Sequence, residues 1–178
     1  PENFSADGTQ RLALSALNAP ALTVESRTLR RANASDAAAI DALQQAAYAP
    51  NRALIGAEPV PLLTRAEDLL ASHEIWLLEH AGPDGGGLAG VLVLDPRAGD
   101  LEVWSLATAP SHQGQGIARV LLTAAQTRAR ALGLRTLRLF TSDKLSANVA
   151  WYGRNGYVVE RTEKRADRRL VHMVKTLE

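Results

Sequence analysis

Hydrophobic residues along this chain follow two periods, and the period changes where turn residues occur. Alternation of apolar and polar residues predicts strands, and apolar residues spaced three or four apart predict helices. The predicted strands are residues 23–31, 75–80, 88–94, 101–108, 134–141, 157–162 and 170–176. The predicted helices are residues 37–48, 64–72, 117–132 and 146–154.

Capping and turn residues support these boundaries. Ser35 and Asp36 precede the first helix as candidate caps. Thr64 is a candidate N-cap of the second helix, with Glu67 three residues later to complete a capping box. Residues 49–61 contain three prolines and a glycine, which predicts a loop, and residues 83–87 predict a hairpin turn. Gly133 is the expected residue after the third helix.

The order of elements predicts a mixed α/β fold. Three consecutive strands with short connections are expected to be antiparallel, whereas the strand–helix–strand unit around residues 101–141 implies a parallel pair. We expect one domain over residues 23–178. Residues 1–22 form a polar, alanine-rich leader that we expect to be poorly ordered or a short helix.

The run Gln113-Gly114-Gln115-Gly116 lies between a predicted strand and the longest predicted helix. The first N–H groups of a helix have no helical partner, and the helix dipole is positive at that end. Glycine lets a bulky anion approach the backbone closely. The run therefore predicts a binding site for a phosphate-bearing ligand, although such turns often bind nothing.

Composition excludes several other functions. The net charge is +1, so no strong field directs the chain to nucleic acid or to an anionic membrane. The chain has no cysteine, which excludes disulfides, thiolate metal sites and a cysteine nucleophile. No apolar stretch approaches the roughly 18 residues of a membrane span. The histidines are isolated, so we expect no metal site, and we expect a cytoplasmic protein.

Three motifs in order resemble the GNAT superfamily of N-acetyltransferases. Gln113-x-x-Gly116-x-Ala118 after Ala109-Pro110 is similar to its acetyl-CoA signature. Residues 148–157 are similar to its second motif, and residues 172–177 to a common ending. The resemblance covers about residues 23–177. It implies a GNAT-like α/β (α+β) fold, with a mostly antiparallel central sheet of about seven strands, helices on both faces and a splayed parallel pair that binds coenzyme A.

The resemblance implies acetyl-CoA as the acyl donor, with no metal. Backbone groups near the splay would hold the pantetheine arm, and one N–H would polarise the thioester oxygen. Asn148 would either bond the cofactor or cap its helix. The cofactor-binding residues implied in this way are Leu106, Ala107, Thr108, Gln113, Gly114, Gln115, Gly116, Ile117, Ala118, Arg119 and Asn148. Gln115 stands where a basic residue is more usual.

Tyr152 and Glu102 are the candidate catalytic residues. A phenol can protonate the departing thiolate, and the matching tyrosine has that role in many GNAT members. Glu102 lies on the predicted fourth strand, where histone-type members carry a catalytic glutamate. Alternation would place it with Trp104, Leu106 and Thr108 on one face, where desolvation raises a carboxyl pKa. The alternative for Tyr152 is a packing aromatic. The alternatives for Glu102 are a solvated strand carboxylate or an ion pair with arginine, with a water relay to carry the proton instead.

Candidate acceptor-binding residues are Tyr48, Arg52 and Trp104, near the loop that covers the acceptor site in GNAT members; Arg52 also fits a surface charge. His112 fits either a phosphate contact or a surface histidine. The basic segment 164–169 predicts a solvated hairpin tip, or one that borders the acceptor site.

The sequence therefore predicts an N-acetyltransferase that acts in a ternary complex, with no nucleic-acid or membrane partner. A small-molecule amine is the favoured acceptor. Many GNAT relatives dimerise, so the analogy extends to a homodimer. The alternatives are an acyl-CoA sensor without catalysis, and a structural or nucleic-acid-binding protein that binds no coenzyme A.

Overall fold

The structure, a computed structural model, describes residues 9–11, 27–81 and 86–178. The strands are β1 (Thr9–Arg11), β2 (Arg27–Arg31), β3 (Glu74–His80), β4 (Gly87–Pro96), β5 (Leu101–Thr108), β6 (Thr136–Ser142), β7 (Val158–Lys164) and β8 (Arg169–Thr176). The helices are α1 (Ala37–Tyr48), α2 (Arg52–Ile55), α3 (Ala66–Ser72), α4 (Ile117–Ala131) and α5 (Ser146–Arg154). Short 3-10 turns lie at Ala34–Asp36, Ala49–Asn51, Val60–Leu62 and Pro110–His112.

The eight strands form one sheet in the order β1-β2-β3-β4-β5-β6-β8-β7. Only β5 and β6 are parallel among the described strands, and all other neighbours are antiparallel. The seven predicted strands correspond to β2 through β8, and the mixed, mostly antiparallel sheet is confirmed. β1 adds an eighth strand from within the predicted leader. The described residues do not include the rest of that leader, residues 23–26, or residues 82–85 of the hairpin turn.

Helices cover both faces of the sheet, as predicted. On one face α4 and α5 pack over a core that includes Leu92, Leu121 and Leu139. On the other face α1 and α3 pack over a second core that includes Ile40 and Leu69. All five side chains are at most 1% exposed, and truncating a residue of this kind to alanine costs about 2–5 kcal/mol. The two cores hold the sheet rigid between its helical layers.

The helix caps differ from the predicted ones. The side chain of Asn33 accepts from the Ser35 N–H and forms a capping box with Asp36, so the predicted Ser35–Asp36 cap belongs to a 3-10 turn one residue before α1. The predicted Thr64–Glu67 box does not form. Instead the Ala66 N–H at the start of α3 donates to Asp41 of α1, 2.8 Å away. A tertiary contact replaces the local cap.

The predicted loop over residues 49–61 is more ordered than expected. It contains α2, one whole 3-10 turn and most of a second, and Gly56 ends α2 with a φ of 76°. Arg52 forms a two-point ion pair with Glu58 at 2.7 Å, which ties the segment to itself. The segment that connects α1 to α3 is therefore folded and not an irregular loop.

A β-bulge interrupts the alternation of β5. Leu94 of β4 lies opposite Val103, but Val93 lies opposite Ser105, which leaves Trp104 as an extra residue. Beyond the bulge, Leu106 packs toward the α4 core, whereas Trp104 packs toward the α1–α3 core. The predicted common face of Glu102, Trp104, Leu106 and Thr108 is therefore wrong, because a strict period of two does not survive the bulge.

Candidate active site

The glycine turn joins the end of β5 to the start of α4. The Ala109 N–H still bonds to Ala89 of β4 at 2.9 Å, and a 3-10 turn then leads away from the sheet. Gly114 and Gly116 have φ values of 77° and 79°, in the left-handed region that favours glycine. A Cβ at either position would meet no heavy atom within 4 Å, so the turn is open on its outer side.

Four N–H groups of this turn are unused within the described part of the chain. Neither backbone nor side-chain acceptors contact the N–H groups of Gly114, Gly116, Ile117 and Ala118. They lie at the positive end of a 15-residue helix, which has no side-chain cap. Free N–H groups at the positive end of a helix dipole are suited to bind an anion such as a phosphate.

Close packing of α4 on β4 fixes the position of these donors. A Cβ on Gly90 would lie 2.8 Å from side-chain atoms of both Ile117 and Leu121. Only a glycine at this position lets the first turn of α4 approach the sheet so closely. The Ile117 side chain is buried in that contact.

The other predicted residues of the turn surround these donors. Gln113 and Arg119 are exposed, and Ala118 is half-buried. The Gln115 side chain folds back to the Ser111 carbonyl at 3.2 Å, and its own carbonyl accepts from Arg27 at 3.4 Å. Gln115 therefore stabilises the turn itself.

The parallel strands β5 and β6 separate after a short pairing. Only residues Leu101 to Val103 of β5 pair with Leu137 to Leu139 of β6. The Ala109 N–H bonds to β4, and backbone groups alternate in direction along a strand. The Ala107 backbone therefore also faces β4, whereas the backbone groups of Leu106 and Thr108 face the side where β6 has separated from β5. The result is a gap in the sheet that carries backbone hydrogen-bonding groups.

A buried polar chain supports the backbone at this gap. The Tyr48 hydroxyl donates to the Leu106 carbonyl at 2.8 Å and contacts the Ser105 hydroxyl at 2.9 Å. Ser105 in turn bonds to Gln44 at 3.2 Å, and both residues are at most 3% exposed. Burial raises the pKa of Tyr48 to about 12, so its phenol keeps its proton. Tyr48 therefore holds β5 in place, a role that the sequence did not predict.

Tyr152 lies on α5 and packs against the α4 core. Its ring contacts Trp151 and Tyr157, with centroids 5.0 and 5.8 Å away. No described residue hydrogen-bonds its hydroxyl, which is not fully buried. Burial, with smaller effects of Tyr48 and Tyr157, raises its pKa well above the usual value of a phenol. The phenol is therefore protonated at neutral pH and has a free donor.

Asn148 lies in the first turn of the same helix and is exposed. Leu145 is the N-cap of α5, and the Asn148 N–H bonds to the Leu145 carbonyl at 2.9 Å. The alternative that Asn148 caps its helix is therefore wrong, and its side chain remains available to a ligand.

A charged cavity opens on the face of the sheet that carries α1 and α3. Its volume is about 370 Å³. Eight of its eleven lining residues are ionisable, and they come from four strands and the turns beside them. The lining residues are Val60, Arg97, Glu102, Trp104, Arg138, Phe140, Glu160, Arg161, Glu163, Arg165 and His172.

Glu102 lies in the wall of this cavity and is 5% exposed. Its carboxylate forms an ion pair with Arg97, which also bonds to Asp95 at 2.8 Å. Desolvation raises the Glu102 pKa; Arg97 partly offsets this, while Asp95 and Asp100 add to it. Glu102 therefore has both the predicted ion pair with arginine and the predicted raised pKa. A carboxyl pKa raised toward neutral pH is a property that suits a general base.

The predicted acceptor residues lie in different places. Trp104 lines the cavity, whereas Tyr48 supports β5 from below the gap. Arg52 lies outside the cavity lining and is engaged with Glu58, which agrees with the alternative of a surface charge. His112 is half-buried and its ring lies 4.2 Å from that of His80.

The turn between β7 and β8 contacts the segment that connects α1 to α3, and Val60 of that segment lines the cavity. Arg168 donates to the Glu58 carbonyl, although 110 residues separate them, and its side chain is 8% exposed. The prediction of a fully solvated tip is wrong for this residue. The turn borders the cavity instead, through Arg165.

The sequence missed most of the cavity wall. Arg138 and Phe140 of β6 lie beside His172 of β8, and Glu163 of β7 bonds to that histidine. Alternation could have placed each residue on the polar side of its own strand. It could not have shown that β8 lies between β6 and β7.

No group of histidine, aspartate and glutamate side chains among the described residues is arranged to hold a metal ion. No described helix is long and apolar enough to cross a membrane.

A splayed parallel pair, with a glycine turn at the start of the following helix, defines the class of acyl-CoA-dependent acyltransferases. The model of the acetyltransferase (GNAT) family matches residues 40–157, which is more than half of the chain. The chain belongs to the GNAT family of acetyltransferases. None of the curated proteins matches it.

Solved structures share the fold at low sequence identity. The ribosomal-protein-S18-alanine N-acetyltransferase of Escherichia coli has a TM-score of 0.67 at 17% identity, covering 85% of this chain and 94% of that one. The PaiA N-acetyltransferase of Thermoplasma acidophilum, in complex with coenzyme A, has a TM-score of 0.66 at 17% identity, covering 85% and 99%. A GNAT family acetyltransferase of Elizabethkingia anophelis with acetyl-CoA bound has a TM-score of 0.62 at 17% identity, covering 85% and 98%.

Proposed function

We propose that this enzyme transfers the acetyl group of acetyl-CoA directly to the primary amine of a small molecule within a ternary complex. The observation that carries this proposal is the gap between β5 and β6, which begins beside the glycine turn. Membership of an acetyltransferase family supports the reaction. The coenzyme A and acetyl-CoA complexes of two structural neighbours support the donor.

The proposed cofactor site runs from the glycine turn into the gap. The pyrophosphate binds the free N–H groups of Gly114 and Gly116 to Ala118, where the dipole of α4 is positive. The pantetheine arm pairs with the Leu106 N–H and with the Thr108 backbone on the open side of β5, while the Leu106 carbonyl stays bonded to Tyr48. A free N–H polarises the thioester carbonyl. Gln113, Arg119 and Asn148 are exposed beside this path and contact the outer part of the cofactor.

The proposed acceptor site is the charged cavity. Its volume of about 370 Å³ is within the usual range of small-molecule sites. Glu102, or a water molecule that it orders, accepts a proton from the attacking nitrogen, and its raised pKa suits that role. Trp104 in the same wall contacts the acceptor.

The departing thiolate needs a proton, and Tyr152 supplies it. Its hydroxyl has no partner among the described residues, and burial keeps the phenol protonated at neutral pH, so a proton is present when the thiolate forms beside it. Proton donation of this kind contributes roughly 10²–10⁴-fold to a rate. No covalent acyl-enzyme is involved, because the chain has no cysteine.

The test is a calorimetric titration with acetyl-CoA of the unaltered protein and of Gly116→Glu. The variant places a carboxylate among the donors of the turn, and we expect at least a 100-fold loss of affinity. Gly133→Glu is the matched control, since Gly133 has a φ of 71°, has open space around its Cβ position and lies at the opposite end of α4. It adds the same charge and a similar backbone strain but keeps the turn.

Binding by the unaltered protein and by Gly133→Glu, lost in Gly116→Glu, would support the proposed site. Equal affinity in all three proteins would place the cofactor elsewhere. No binding by any of them would overturn the proposed function.

A further inference from the structure

His172 is a half-buried histidine in the wall of the acceptor cavity that the proposed reaction does not yet use. Its side chain is 13% exposed and its ring lies 6.0 Å from that of Phe140. Residues Val171 and Met173 on either side belong to the α4 core, so His172 faces the cavity together with Glu102.

Two contacts assign the tautomer of this ring. Nε2 lies 2.8 Å from a carboxylate oxygen of Glu163, which can only accept a hydrogen bond when ionised. Arginine can only donate, and an Arg161 nitrogen lies 3.5 Å from Nδ1, at the limit of a hydrogen bond. The neutral ring therefore carries its proton on Nε2 and has its lone pair on Nδ1.

Glu163 is held ionised at this position. Hydrogen bonds from Arg165 and His172, followed by Arg161, lower its pKa to about 2. Glu163 therefore accepts the Nε2 hydrogen bond and orients the ring at neutral pH. An imidazole with one nitrogen on a carboxylate and the other exposed to a cavity is a common arrangement for proton transfer.

The Nδ1 side of the ring remains accessible. Arg161 is 55% exposed, and its stronger contact is with Glu163 at 3.2 Å, so it moves aside without losing a buried partner. The other charged group of β7 close to the ring is Glu160, which is engaged with Arg138 of β6 at 2.9 Å. No carboxylate among the described residues contacts Nδ1.

The proton balance of the reaction requires a second proton acceptor. An amine enters at neutral pH as R–NH₃⁺ and leaves as an amide, so its nitrogen loses two protons. One is matched by the proton that the thiolate gains through Tyr152, and the other must reach the solvent. Glu102 is 5% exposed and paired with Arg97, which makes it a poor route to water.

We propose that His172, oriented by Glu163, accepts the first proton of the incoming ammonium group on Nδ1 and releases it to water at the mouth of the cavity. This role rests on the proposed function. The N–H bond of R–NH₃⁺ breaks as the Nδ1–H bond forms, and the neutral amine then attacks the thioester. Glu102 takes the second proton as the C–N bond forms, and the C–S bond breaks as Tyr152 protonates the thiolate. The proton on Glu102 then passes through water to the Tyr152 phenolate, which restores both residues. The sum is R–NH₃⁺ and acetyl-CoA giving the amide, coenzyme A and one H⁺.

The first measurement does not depend on activity. Nitrogen-15 NMR of the full chain, with the His172 signals assigned by their loss in His172→Gln, gives the tautomer of the neutral ring. We expect the Nε2–H form in the unaltered protein and a mixture of both forms in Glu163→Gln. The Nδ1–H form in the unaltered protein would overturn the proposal, because that nitrogen could not then accept a proton.

The second measurement is the pH dependence of kcat/KM for the fastest acceptor in a panel of benzylamine, tyramine, putrescine, spermidine and lysine methyl ester. His172→Gln is expected to lower kcat/KM about 100-fold at pH 7. The deficit should shrink as the pH rises, because more of the amine then arrives neutral. Glu163→Gln should show the same trend at about 10-fold, since the ring is kept but no longer oriented.

Glu160→Gln is the matched control. It removes the same charge from the same strand and cavity wall, but Glu160 hydrogen-bonds to Arg138, whereas the hydrogen bond to the His172 ring comes from Glu163. Its profile should keep the shape of the unaltered protein whatever its KM becomes. A deficit in His172→Gln that is constant with pH would indicate a structural role and overturn the relay. No acetylation by the unaltered protein would instead overturn the proposed function, and the relay with it.

Discussion

The glycine turn and the charged cavity are built from different parts of the chain. The turn offers backbone N–H groups from a few consecutive residues. It requires particular residues only at Gly114 and Gly116, where a positive φ favours glycine. The cavity offers ionisable side chains from four strands that are distant in sequence. If the turn holds the donor and the cavity holds the acceptor, as proposed, we expect side-chain changes on the rim of the turn to be tolerated. We also expect single changes in the cavity wall to leave donor binding intact.

Tyr152→Phe is the strongest test on the donor side. The substitution removes only a hydroxyl that has no partner among the described residues. We expect kcat to fall about 10²–10⁴-fold because the thiolate loses its acid. The acetyl-CoA dissociation constant from calorimetry should change no more than about twofold, since backbone groups supply the binding.

Tyr157→Phe is its control, because the Tyr157 hydroxyl is buried without a partner and its ring contacts that of Tyr152. It should leave kcat unchanged and the protein no less stable, since it removes an unsatisfied buried group. A fall in kcat of the same size in both variants would assign the effect to packing.

Arg97→Gln tests the acceptor side through pH. The positive charge of Arg97 lowers the pKa of Glu102 against the larger effect of desolvation. Without it the pKa of the carboxyl rises further, so Glu102 becomes protonated at a higher pH. The acidic limb of the kcat/KM profile should therefore move to higher pH, with about a 10-fold loss at pH 7.

Acetyl-CoA affinity should be unaffected by Arg97→Gln, because the residue lies in the cavity and not in the gap. An acidic limb that stays in place would show that Glu102 does not titrate in the rate-limiting step.

Tyr48→Phe tests the element that joins the two regions. The variant leaves the Leu106 carbonyl and the Ser105 hydroxyl without one buried partner each, which should destabilise the protein by about 1–3 kcal/mol in urea unfolding. Because the Leu106 backbone faces the gap, acetyl-CoA affinity should fall a few-fold. A loss confined to the KM of the acceptor would return Tyr48 to the predicted role of substrate-binding residue.

Arg52→Ala should have the smallest effect. Arg52 and Glu58 form a solvent-exposed ion pair within one short segment, outside the cavity lining. Such pairs contribute little to stability, so the urea midpoint and both KM values should remain within error of the unaltered protein. A raised acceptor KM would show that the segment closes over the substrate through this residue.

The donor side could be predicted because its determinants are local. The bounds of α1, α5 and β5 agree with the predictions to the residue, and the glycine turn begins α4 as expected. The errors arise where a distant residue replaces a local one. Asp41 caps α3 in place of Thr64, and the bulge at Trp104 shifts the alternation of β5.

The acceptor side could not be predicted, because its geometry depends on strand order. The family resemblance points to Glu102 as a candidate general base, and the sequence leaves an ion pair with arginine as an alternative to that role. Arg138, Glu163 and His172 meet it only because β8 enters the sheet between β6 and β7. No periodicity within a single strand contains that information.

The brief pairing of β5 with β6 has a mechanical consequence. Five strands on one side and three on the other are joined in the sheet by only three residue pairs across this seam. A bound acetyl-CoA whose pantetheine arm pairs with β5 along the gap would add hydrogen bonds to the sheet in the way that a further strand does. Occupancy would then stiffen the whole sheet, and thermal unfolding should occur at rising temperature as the acetyl-CoA concentration increases.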